Sequence, residues 1–173
     1  MKYSIPAFFI LLFAISVFPQ KSAYKLLFDD DNLTVKYQKK HYKLRLGEAI
    51  DASKITEAEL LFADKKNDFT YLVVAVSGQS KSQVDDGHCG AGMESNLIWV
   101  KLNSRLKVVS HKSQRFESCW TSIVSDEGYV IKGKTLQMSV DNVSEKTTTE
   151  IFYDSANPDK GFKVEIKKMA KSY

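Results

Sequence analysis

The sequence predicts an antiparallel all-β domain, a meander folded into a sandwich or barrel-like body of about nine or ten strands with little helix. Two observations carry that class. Short runs of alternating apolar and polar residues recur through the chain, and turn-forming residues separate them. A third observation, two cysteines in a chain that opens like an exported protein, points to a small secreted domain with one cross-link.

The first residues are Met1-Lys2-Tyr3-Ser4, followed by an apolar run from Ile5 to Phe18 and then Pro19-Gln20-Lys21-Ser22-Ala23. One basic residue, an apolar stretch and a small-residue exit make a secretory signal peptide. The run is shorter than the ~20 apolar residues that a spanning helix needs, which disfavours the competing reading of an uncleaved anchor. No cysteine stands at the exit to take a bacterial lipid. The expected organisation is therefore a signal peptide, residues 1–23, and a single β-rich domain, residues 24–173. Loss of Lys2 and Lys21 lowers the formal charge from +4 to +2. So balanced a domain gives no electrostatic reason to bind nucleic acid, and export argues further against it. A periplasmic or secreted bacterial protein is expected, monomeric and not inserted in the membrane once the signal is removed.

In chain order, Leu33-Thr34-Val35-Lys36-Tyr37 and Tyr42-Lys43-Leu44-Arg45-Leu46 alternate cleanly, with Lys39-Lys40 near the turn between them. Alternation places Lys43 and Arg45 on the outward face. With Lys36, Lys39 and Lys40 they form a basic cluster, read as a solvated, edge-guarding face or as a contact for an anionic surface such as lipid or cell-wall polymer. Residues 57–66 are ambiguous. Thr56-Glu57-Ala58-Glu59 fits a helix capping box, yet Asp64-Lys65-Lys66-Asn67-Asp68 also fits the turn of a hairpin into the next strand, and the hairpin is preferred. From Phe69 to Val76 both alternating sets are apolar, so this strand belongs in the middle of a sheet, covered on both faces. Leu97–Leu102 and Leu106–Ser110 form a hairpin about Asn103-Ser104-Arg105, and Cys119–Val124 is read as a strand ended by Asp126-Glu127-Gly128. Gly133-Lys134 offers a tight turn with positive φ at the glycine. Leu136–Val140 and Phe162–Ile166 alternate as half-buried strands on either side of the polar loop 154–161.

The most distinctive ten residues are Asp85-Asp86-Gly87-His88-Cys89-Gly90-Ala91-Gly92-Met93-Glu94. Their glycines allow irregular backbone and close approach of another molecule. Cys89 and Cys119 are expected to form a disulfide, because an exported chain with two thiols and no partner motif has few other uses for them. That leaves three readings of the loop: a structural turn that brings the cysteines together, a calcium site from Asp85, Asp86 and Glu94, or a binding loop for a protein or glycan. The spacing departs from the EF-hand pattern, so no cofactor is expected and calcium is the weaker alternative. A thiol nucleophile is disfavoured, since neighbours such as His88 and Cys89 are expected to point apart on an extended chain, His111 has no visible orienting partner in the sequence, and an oxidised cysteine cannot attack. The three histidines, His41, His88 and His111, lack the close ligand pairs of zinc sites. Trp99, mid-strand, is expected to pack in the core, and Trp120, beside Cys119, to pack or to stack on a ligand.

From Gly87 to Leu97 the chain resembles a group of uncharacterised exported bacterial proteins that share a Cys-Gly-Ala-Gly-x-Glu loop leading into an apolar strand. The second cysteine of that group follows the next hairpin. The late element Pro158-Asp159-Lys160-Gly161-Phe162 is similar to a turn of the same group. The resemblance implies export and a β-rich fold, and carries no activity. The expected function is a non-catalytic binding or inhibitory module that presents the stapled loop, with Asp85, Asp86, His88, Glu94 and Trp120 as binding residues; a small lysozyme-inhibitor-like protein is one form by analogy of size and class. The alternatives are a metal-dependent or hydrolytic envelope enzyme using the same acidic loop, and a purely structural envelope protein.

Overall fold

A computed structural model describes residues 23–29, 32–46, 49, 52, 54–81 and 92–169. Residues 1–22 of the expected signal peptide, 1–23, and the loop residues Asp85, Asp86, His88 and Cys89 lie outside the described residues. The described chain is all-β. Strands β1 (Tyr24–Asp29), β2 (Asn32–Tyr37) and β3 (Lys40–Leu44) form a three-stranded antiparallel sheet. Strands β4 (Lys54–Lys66), β5 (Phe69–Gln79), β6 (Met93–Leu102), β7 (Val108–Ser118), β8 (Ile123–Val124), β9 (Tyr129–Lys132), β10 (Thr135–Asn142), β11 (Thr147–Asp154) and β12 (Lys163–Lys168) form a nine-stranded one. Its order is β12-β11-β10-β8-β7-β6-β5-β4, with β9 also paired to β10, and it does not close into a barrel.

Two hydrophobic clusters lie on opposite faces of β5 and β6. Leu72, Val74 and Val76 with Ile98, Val100 and Leu102 pack against Leu33, Val35 and Leu44 of the small sheet. On the other face, Tyr71, Val73, Leu97 and Trp99 pack against Leu136, Met138, Ile151 and Tyr153 of β10 and β11. The large sheet therefore folds back over itself, and β5 is covered on both faces, as its doubly apolar pattern predicts. Each such fully buried apolar side chain contributes roughly 1.5–3 kcal/mol. Phenol hydroxyls tie the layers together. Tyr24 shares a hydrogen bond with Thr70 at 3.3 Å, Tyr153 donates to Asp64 at 2.9 Å, and Tyr129 donates to Glu59.

Residues 57–66 form β4, so the hairpin reading holds. The chain turns over only Asn67 and Asp68, with Asn67 at φ 54°, so the charged segment predicted as a turn is mostly strand. The Leu60-Leu61-Phe62 run that obscured this segment has a local cause. A bulge between Leu60 and Phe62 shifts the register. Leu60 then faces the small sheet while Leu61 and Phe62 face the second cluster.

Other expectations are corrected. The described chain has twelve strands, more than the nine or ten predicted, because β1, β9 and β11 fall outside the runs read as strands from the sequence. Cys119–Val124 is not one strand. The Ser118 hydroxyl accepts from Thr121 N–H at 3.2 Å, Ser122 takes φ 52°, and Cys119–Ser122 becomes a turn that leaves only Ile123–Val124 in the sheet. The last strand alternates as predicted, but it has no buried face: all six residues of β12 are exposed, Ile166 at 71%. Val164 and Ile166 pair with Ile151 and Thr149, so they point to the core side of the sheet but overhang it.

Two turns match their sequence signatures. Gly133 has φ 60° between β9 and β10. In the polar loop 154–161, Pro158–Lys160 form a single 3-10 turn, and Gly161 (φ 68°) lies flat against the Trp99 indole. The indole Nε1 donates to the Pro158 carbonyl at 2.8 Å, so Trp99 is a core residue whose polar atom is satisfied.

Candidate functional site

The end of the large sheet that carries residues 82–91 differs chemically from the rest of the core. Of the six buried polar residues among those described, Ser80, Glu94, Ser95, Asn96 and Ser118 lie here, and only Thr70 lies elsewhere. β5 ends at Gln79 and β6 begins at Met93, so Met93 and Glu94, read as loop from the sequence, belong to the strand. Glu94 belongs to the second position of a strand.

Three contacts close the neck of the loop. Ser80 N–H donates to the Gly92 carbonyl at 2.9 Å. The Ser80 hydroxyl donates to Glu94 Oε1 at 3.0 Å. Gly92 lies directly against Cys119, since a Cβ at Gly92 would stand 2.5 Å from Cys119 Cβ and 2.8 Å from its Sγ. No side chain fits there, which gives this glycine a steric purpose. Across the sheet, Gly78 faces Glu94 and lets the backbone at Lys54 approach to a distance that any Cβ would violate.

Glu94 is only 1% exposed. A carboxylate so buried requires hydrogen bonds or a counter-charge. It has both in part: Ser80 on Oε1, and the Arg115 Nε 3.8 Å from Oε2, too long for a hydrogen bond. Oε2 accepts no hydrogen bond from a described residue, and the Asn96 amide nitrogen likewise has no acceptor. Further polar contacts extend the root inward. Ser95 bonds Ser77 at 2.9 Å and donates to Glu117 at 2.9 Å, and Ser113 donates to Asn96 Oδ1 at 3.3 Å.

Of the residues singled out by sequence, Glu94 is thus held inside the root, and Trp120 sits partly buried in the turn directly after Cys119. Asp85, Asp86, His88 and Cys89 lie outside the described residues. No cysteine is a free thiol among the described residues. Likewise, no described group of three His, Cys, Asp or Glu side chains is placed to hold a metal ion. Sequence reading missed Ser80, Arg115 and Glu117. One signal was present: Arg115 and Glu117 stand in β7, which reads Ser-His-Lys-Ser-Gln-Arg-Phe-Glu-Ser beside the apolar β6 and so can offer polar partners to a carboxylate on that strand.

Neither a protein-family model, nor a curated protein, nor a solved structure matches this chain. Its chemistry must therefore be argued from its own residues.

Proposed function

We propose that this protein is an exported, non-catalytic binding or inhibitory module of the bacterial envelope or exterior, and that it presents the predicted 85–94 segment, rooted in β6 at Met93 and Glu94, as a loop stapled by a Cys89–Cys119 disulfide. One observation carries the reading: Ser80, Gly92, Glu94, Arg115 and Cys119 converge on the two strand ends from which the loop springs. A loop fixed at its root loses less conformational freedom when it binds, so preorganisation raises affinity without new contacts. Cys119 packs against Gly92, which is three positions from Cys89 in sequence, and this supports the pairing of the two cysteines. The acids and histidine of the loop, Asp85, Asp86 and His88, would then supply the polar contacts, while Glu94 holds the root and touches no partner.

The test is a loop exchange. Residues 82–88 are replaced by a Gly/Ser segment of equal length with Cys89 retained, and wild type and variant are used to capture ligands from an envelope fraction. A specific protein or glycan retained by wild type and lost by the equally stable variant is the expected result. Identical retention by the two proteins contradicts the proposal.

A further inference from the structure

The opposite end of the molecule carries a second feature. β6 is ten residues long, so its two ends stand ~30 Å apart. At the Leu102 end, β3 is the free edge of the small sheet, and the turn from β6 to β7 rises beside it. Between them lies a groove of about 620 Å³.

Its walls are basic from both sides. β3 and the residue after it supply His41, Lys43 and Arg45, while the turn, about sixty positions away in sequence, supplies Arg105 and Lys107. All five are exposed, and none makes an ion pair with a described residue. No acid lines the groove among the described residues. The turn is rigidly built: Asn103 Oδ1 accepts from Arg105 N–H at 3.0 Å and Lys107 N–H at 3.1 Å. Leu106 between them is buried in the core at φ 56°, a conformation that a leucine adopts only under constraint. Arg105 and Lys107 are therefore held out to solvent on either side of a fixed point.

The charge continues over the outer face of the small sheet. Lys25 pairs directly with Lys36, so like charges stand opposite one another across two strands, and Lys36 pairs in turn with His41 on the third. Such pairs oppose folding. Retaining them is explicable if a counter-charge comes from outside the chain. The floor adds a second property, since Tyr42, Leu106 and Val108 line it. A concave site with cationic walls and a tyrosine-aliphatic floor fits a linear chain whose charged groups reach the walls while its ring faces rest below. A flat bilayer would meet the rims and leave the floor empty.

We infer that this groove binds a linear acidic glycan, docking the protein by the end opposite its stapled loop. The observation is independent of the loop proposal, and either can fail without the other.

The probe is a fluorescein-labelled oligogalacturonate, with anisotropy measured on the full mature chain. Wild type should bind, and more weakly as salt rises from ~50 to ~200 mM, because exposed charges are screened. The K43E/R105E variant should bind at least about tenfold more weakly, since two reversals place repulsion on both walls. The neutralising variant R45Q/K107Q should shift in the same direction by less. Reversal at the distant β12 edge, K167E/K168E, changes net charge equally and should leave affinity within about twofold. Absence of wild-type binding, an equal loss in the β12 control, or tighter binding of an oligonucleotide of equal charge or of phosphatidylglycerol vesicles would each overturn the inference.

Discussion

Replacing Gly92 by alanine probes the root of the loop at its tightest contact. The new methyl would lie 2.5 Å from Cys119 Cβ and 2.8 Å from Sγ. Carbon atoms prefer about 3.5–4.0 Å, so the strand end or the Cys119 turn must move by roughly 1 Å. Overpacking of this kind costs ~1–3 kcal/mol. Restriction of the unfolded chain by alanine offsets ~0.4–1 kcal/mol of it. The net destabilisation is about 1–2 kcal/mol, which lowers a urea midpoint by roughly 0.5–1 M at a typical slope for this size. Urea unfolding without reductant, followed by tryptophan fluorescence and circular dichroism, measures it. A double-mutant cycle assigns the cause. In a C119G background both offending atoms are gone, and the G92A penalty should fall by at least ~1 kcal/mol. The reasoning is refuted if G92A unfolds at the wild-type midpoint, or if its penalty is unchanged when Cys119 is removed.

Three further substitutions test the surrounding account. R115M strands the buried Glu94 carboxylate, so it should lower stability by about 1–3 kcal/mol in urea titration, and E94Q in the same chain should recover most of the loss; no recovery would mean that Arg115 acts through packing alone. W99F removes the indole donor to Pro158 at 2.8 Å and should cost ~1–3 kcal/mol, with exchange protection lost first in the 154–161 loop. Burial raises the Asp64 pKa above its ordinary 3.8, outweighing the Tyr153 hydrogen bond that lowers it. The stabilisation linked to that shift is complete below the unfolded value and lost as pH rises through the folded one. D64N does not titrate, so its melting temperature relative to wild type should rise between pH 3 and pH 7; a pH-independent difference would contradict this.

Much of the architecture could be read from the chain because burial leaves a periodic trace. The two-sided apolar run of β5 announced a strand covered on both faces, and the clean alternation of β2 and β3 placed Lys43 and Arg45 outward. Where reading failed, the cause was local geometry that pattern does not encode. The Leu61 bulge disguised β4, the Ser118 hydroxyl turned Cys119–Ser122 out of the sheet, and β12 alternates without a buried face because no described residue covers that side of the sheet edge. The site was legible in part. Composition drew attention to residues 85–94, of which Gly92, Met93 and Glu94 are described. Burial of Glu94 against Ser80 and Arg115 could not be foreseen, since it depends on which face of β6 meets which strand. Nor could the approach of Arg105 and Lys107 to β3, which two separate sheets bring about.

The central claim is a loop held closed at its root by a cross-link between Cys89 and Cys119. Thiol titration of the folded protein, purified under oxidising conditions and measured before and after reduction, tests it most directly. The account predicts no reactive thiol before reduction and two afterwards, with one disulfide-linked peptide pair containing Cys89 and Cys119 in a non-reducing digest. Two reactive thiols in the folded, oxidised protein would contradict it.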